Sequence, residues 1–281
     1  MFGSLGVSTH AFRQVDVFTR GAFTGNPVAI VHDADNVPAE EMGAITRWTN
    51  LSEAAFLLEP SQRSADYRVR IFEPKAELPF AGHPTLGACA AWLDAGGVPQ
   101  QPGVVVQECG AGLIEIRITD AGLAFAAPPM VRHEPVDSDT LSHALRLLGL
   151  TAGDIVASHW IDNGPGWMGV QLTNAQRVLD ISMPTEPAAH FDVGVVGLYP
   201  AGGDAAIEVR AFFNDPNGSI REDPVTGSLN ASIAQWLLGN GALTAPYVAH
   251  QTSGRVTVEQ SGGQIWIGGT TDVRVTGTIT L

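Results

Sequence analysis

Residues 67–88 read YRVRIFEPKAELPFAGHPTLGA. The first six alternate apolar and polar, which predicts a half-buried strand. The apolar run Leu78-Pro79-Phe80-Ala81 stops at Gly82 and leads through His83 and Pro84 to Thr85, a hydroxyl suited to cap a helix. The alanine-rich segment that follows predicts a helix to about Asp94, ended by Gly96-Gly97. The same order returns half a chain later. Val69-Arg70-Ile71-Phe72 recurs as Val209-Arg210-Ala211-Phe212, inside a predicted strand over 206–213. Thr85-Leu86-Gly87-Ala88 is matched by Ser228-Leu229-Asn230-Ala231, with Ser228 as the cap of a helix to about Leu238 and Gly239-Asn240-Gly241 as its stop. The strands match at an offset of 140 and the caps at 143, so the second linker is expected to be three residues longer. Two matches in one order predict two similar α+β domains related by pseudo-two-fold symmetry.

Working outward, residues 14–18 (QVDVF) alternate as a strand, and Gly25-Asn26-Pro27 is a turn before the apolar strand 28–31. Pro38 opens a helix with Met42, Ile45 and Trp48 at helical spacing and Glu40 and Glu41 near its positive end. Strands are expected at 54–58, 104–108 and 112–119. In the second half, a helix containing 141–148 precedes the Gly164-Pro165-Gly166 turn, a strand over 167–172 and a short helical turn at 178–183. Strands at 255–259, 264–267 and 273–279 close the chain. The domains are read as 1–125 and 126–281, with the last strand a candidate to return to the first.

The 281 residues suffice for two domains with real cores. At a net charge of −14 without a basic cluster, nucleic acid and anionic membrane surfaces are poor partners. No apolar run is long enough to span a membrane, and the opening MFGSLGVSTHAF lacks the plan of a signal peptide, so a cytoplasmic protein is expected. Cys89 and Cys109 form no disulfide framework or metal-ligand spacing, and the eight histidines show no HExxH. Both cysteines are expected to be buried and structural, and Trp92 and Trp236, at nearly matching helix positions, to be core. No phosphate-binding loop or GxSxG elbow occurs, and no metal or organic cofactor is expected.

What remains is two helix entries and one acid. Gly82-His83-Pro84-Thr85 and Asp223-Pro224-Val225-Thr226-Gly227-Ser228 each begin a helix, whose free N–H groups and dipole can hold a carboxylate. Either cluster alone reads first as a plain cap; their recurrence at equivalent places in the repeat is what sets a binding reading beside it. If the pseudo-symmetric halves meet, both ends would face one interdomain cleft suited to a small anionic substrate. Glu53 stands just before an apolar strand. It is either a solvated strand-end acid or, turned into a cleft, a desolvated general acid–base with a raised pKa.

Gly25-Asn26-Pro27 with VAIV, Leu51-Ser52-Glu53 with Phe56, ELPFAGHPTLG at 77–87 and EDPVTGS at 222–228 together resemble the phenazine-biosynthesis PhzF-like family. The resemblance implies a diaminopimelate-epimerase-like fold: α+β, two pseudo-symmetric domains, each a curved mixed sheet or barrel around a central helix. It implies an isomerase similar to trans-2,3-dihydro-3-hydroxyanthranilate isomerase, acting without cofactor or metal, and a homodimer. By motif position Glu53, Asp223 and His83 would be catalytic, and Gly82, Gly227 and Ser228 would bind substrate. The epimerases of this fold use a cysteine at each helix entry; neither entry has one here, so a two-thiol mechanism is excluded. The chain departs from the family at Ala54-Ala55, often Thr-Thr, and at Ala76, often Asn. An epimerase or racemase of an amino-acid-like substrate, or a binding protein without catalysis, is the alternative reading.

Overall fold

The computed structural model describes residues 7–188, 190–215 and 218–281; the first six residues of the stretch read for a signal peptide lie outside these. The chain divides into two compact units, Met1–Phe125 with Thr270–Leu281, and Ala126–Gly269.

The first unit holds strands β1 (Thr9–Thr19), β2 (Asn26–Val31), β3 (Ala54–Leu58), β4 (Tyr67–Phe72), β5 (Glu77–Leu78), β6 (Val104–Cys109), β7 (Gly112–Thr119) and β8 (Gly122–Ala126), and helices α1 (Ala39–Thr49) and α2 (Gly82–Asp94). Strand β1 pairs antiparallel with β2, β2 parallel with β3, and β3 antiparallel with β4. Strand β4 then pairs antiparallel with β5 and parallel with β6, which continues antiparallel through β7 to β8. Helix α2 is buried at every position from Gly82 to Cys89 and touches β1, β2, β3 and β6. A helix apolar on all sides must be enclosed, so the sheet curves round it. Gly87 allows the close approach: a Cβ there would lie 2.3 Å from Val28 Cγ1 on β2. Gly25 turns the chain into β2 at φ +88, where a Cβ would meet the Val17 carbonyl oxygen at 2.2 Å.

The second unit holds β9 (Arg132–Glu134), β10 (Ile155–Asp162), β11 (Met168–Leu172), β12 (Val193–Leu198), β13 (Ile207–Asn214), β14 (Ile220–Asp223), β15 (Tyr247–Gln251) and β16 (Gly254–Ser261), and helices α3 (Ser138–Leu147), α4 (Ala175–Leu179) and α5 (Gly227–Gly239). From β10 onward its pairing repeats that of the first unit. Strands β10 and β11 are antiparallel, β11 and β12 parallel, β12 and β13 antiparallel, β13 and β14 antiparallel, β13 and β15 parallel, and β15 and β16 antiparallel. Strand β17 (Gln264–Thr280) pairs with β16 through Gln264–Gly268 and with β1 from Thr270 onward, so the two short strands expected near the C-terminus are one.

Several local expectations need correction. Helices α2 and α5 begin at Gly82 and Gly227, with Ala81 and Thr226 as caps that make no side-chain cap bond, so Thr85 and Ser228 lie inside them. The helices therefore correspond at an offset of 145, not 143, and the second linker is five residues longer than the first. Trp48 is 75% exposed; six residues after Met42, it stands about 120° round the helix from the buried face. Cys89 is fully buried but Cys109 only partly, and of the two tryptophans Trp236 is buried while Trp92 is half-buried against Tyr67.

Candidate active site

The chain leaves α1 through Asn50, whose left-handed φ of 57° ends the helix and turns the backbone toward β3. Glu53 is the last residue before that strand. All five residues of β3 are buried between β2 and β4, so the strand end is held rigidly. The Glu53 side chain is largely buried and its Oε2 lies 3.2 Å from Nε2 of His83, in the first turn of α2. Thus the first unit brings Glu53, His83 and Gly82 together. The Glu53–His83 contact is a close approach, not an aligned hydrogen bond: His83 Nε2 finds no aligned partner among the described residues. Burial alone pushes the imidazole pKa down to about 3, so His83 is neutral at pH 7. A neutral imidazole nitrogen facing a carboxyl oxygen needs one proton between them, held by one partner or the other. Pro84 has no N–H, and the helix leaves those of Gly82 and His83 without an intrahelical acceptor.

Thr85, fully buried, serves the interior: its Oγ1 accepts from Gln107 Nε2 at 3.0 Å, and Gln107 Oε1 accepts from Tyr67 at 2.9 Å. The strand before the entry is fixed by Arg70, which donates to both oxygens of Glu77 at 2.7 and 2.6 Å and lies over the Phe72 ring. This pair holds the Glu77 carboxyl below its ordinary range.

The second unit repeats the device. Arg210 donates to both oxygens of Glu222 at 2.8 Å and lies over Phe212. The repeated Val-Arg-x-Phe thus encodes a clamp on the segment that feeds each helix, and the arginines, read from sequence only as polar strand positions, are its working part. Asp223 ends β14 and accepts from the Thr226 hydroxyl. Gln251 binds this entry from β15, donating to the Asp223 carbonyl and Thr226 Oγ1 and accepting from Thr226 N and Asn230 Nδ2. Ser228 Oγ accepts from Trp167 Nε1 at 3.0 Å and its carbonyl from Asn163 at 2.9 Å. Asp223, Gly227 and Ser228 therefore share one rigid entry. Gln251, Trp167 and Asn163 carried no sequence signal, because only folding brings them to it.

Among the described residues no group of three His, Cys, Asp or Glu side chains could hold a metal ion, and no helix is long and apolar enough to cross a membrane. Burial raises the Cys89 thiol to about 12, far from a nucleophile's range.

A curved mixed sheet round a central helix, with acidic and polar groups held at the helix entry, is the α+β architecture of epimerase-like isomerases. The chain belongs to the phenazine biosynthesis-like (PhzC-PhzF) family, which matches residues 15–280. It is 36% identical over 235 residues to Antisense-enhancing sequence 1 of Schizosaccharomyces pombe, covering 79% of this chain and 78% of that protein. It is 29% identical over 238 residues to trans-2,3-dihydro-3-hydroxyanthranilate isomerase of Pseudomonas fluorescens, covering 83% and 82%. The crystal structure of a PhzF-family phenazine biosynthesis protein from Enterococcus faecalis shares the fold, with a TM-score of 0.80 at 24% identity over 98% of this chain and all of that one.

Proposed function

We propose that this isomerase moves a proton within a small carboxylate-bearing substrate, without metal or organic cofactor, and that Glu53 carries the proton. The observation that supports this is the 3.2 Å contact between Glu53 and a neutral, buried His83 at a helix entry. The Glu53 carboxylate takes a proton from an activated carbon; the C–H bond breaks, and its electron pair spreads into the substrate. Glu53 then returns the proton to a different carbon, so a double bond moves and the carboxylate is regenerated. His83 orients the carboxyl and shares its proton. Because the imidazole is neutral, the anionic groups of the substrate are held by helix-entry N–H groups at Gly82 and Gly227, with the Ser228 hydroxyl. Asp223 orients the substrate. Family resemblance supports a homodimer, which sedimentation would test.

The test is Glu53→Gln assayed on trans-2,3-dihydro-3-hydroxyanthranilate, the compound in the name of the Pseudomonas fluorescens relative. Loss of a positioned acid–base lowers the rate by about 10²–10⁴. Turnover should fall by that factor, with thermal stability and ligand binding nearly kept. A variant as fast as wild type would sink the assignment.

A further inference from the structure

Glu53 has a counterpart in the second unit. It is the residue before β3, whose first residue, Ala54, pairs with Phe72 at the end of β4. Asp192 is the residue before β12, whose first residue, Val193, pairs with Phe212 of β13. Phe72 and Phe212 close the two copies of Val-Arg-x-Phe. Strand β3 runs parallel to β2 as β12 runs parallel to β11, so position and side-chain parity agree.

The surroundings agree as well. Two residues on from Asp192, Gly194 packs against Leu229 in the first turn of α5, where a Cβ would lie 2.2 Å from Leu229 Cδ1. The Asp192 carbonyl accepts from Met168 N at 2.9 Å, and the preceding Trp167 donates to Ser228. Asp192 thus precedes the strand that meets the first turn of α5, as Glu53 precedes the strand that meets α2.

We propose that Asp192 is a further catalytic residue of the reaction inferred above: a general acid that protonates a substrate oxygen as negative charge develops on it. This rests on that reading. The Asp192 O–H breaks as the substrate O–H forms; when the electron pair returns to carbon, the proton returns to Asp192, which is regenerated in each turnover. A solvated strand-end aspartate keeps almost no proton at neutral pH, whereas a carboxyl at about 6 keeps one in roughly a tenth of the molecules at pH 7 and in about half of them at pH 6. Here burial, with Asp162 nearby, outweighs the attraction of His190 and raises the carboxyl to about 6. Asp162 itself is engaged by the N–H groups of Gly164 and Gly166, both at 2.7 Å.

The experiment compares pH–rate profiles of wild type, Asp192→Asn and Asp192→Glu on trans-2,3-dihydro-3-hydroxyanthranilate, with ¹³C-carboxyl NMR titration of the free protein. Wild-type kcat should fall about tenfold per pH unit on the limb above pH 6. Asp192→Asn should lose that limb and about 10²-fold in kcat with little change in KM; Asp192→Glu should restore the limb. A limb near 6 that survives in Asp192→Asn overturns the proposal while leaving Glu53 untouched. Wild-type inactivity on this compound counts against the parent reading. Asp192 is then judged by its titration, with a midpoint near 6 supporting it and one near 4 overturning it.

Discussion

Replacing His83 by Gln changes one titration and little shape. In the unfolded chain this imidazole takes up a proton as pH falls through about 6.5. In the native protein burial holds it neutral down to about 3. Below 6.5 the unfolded state therefore binds a proton that the folded state refuses. The stability linked to this group is intact above pH 6.5 and is lost as pH falls toward the folded value. The slope approaches about 1.4 kcal/mol per pH unit below the unfolded value, so between pH 7 and 4.5 wild type should lose about 2.5 kcal/mol more than the variant. Urea unfolding of both proteins at pH 7 and 4.5 measures the difference, and unchanged carbon-bound imidazole proton shifts of His83 across that range check its cause. If His83 instead formed a true ion pair with Glu53, its pKa would be raised and the difference would change sign. A parallel or inverted pH dependence refutes the argument.

Other consequences can be measured directly. Arg210→Met leaves the Glu222 carboxylate, whose side chain is 16% exposed, without its cation and with the Thr252 hydroxyl as its donor, and should cost about 3 kcal/mol in chemical unfolding. Arg70→Met breaks the equivalent pair at 30% and 41% exposure and should cost under about 1 kcal/mol; equal losses would show that burial does not set the worth of the clamp. Gly87→Ala should lose about 1–3 kcal/mol despite the better helix propensity of alanine, because its Cβ would overlap Val28. A stabilised Gly87→Ala would mean that α2 does not pack this tightly.

The sequence alone carried the parts that depend on near neighbours. Strand β4 and the end of α2 at Asp94 follow from alternation and glycine stops, and both were placed to the residue. The Val-Arg-x-Phe repeat declared that the architecture occurs twice, and the motifs at 77–87 and 222–228 picked out both helix entries. Parallel pairing and helix registration were not legible, because they are settled between segments far apart in the chain. Sequence matching set Thr85 against Ser228; the folded helices set Gly82 against Gly227, since entry depends on where the linker lets the backbone turn. Only the tertiary structure carried His83 out of water and against Glu53, and that desolvation decides its charge. The same holds for Asp192, an ordinary acid in the sequence, whose likeness to Glu53 exists only in the strand register of the two units.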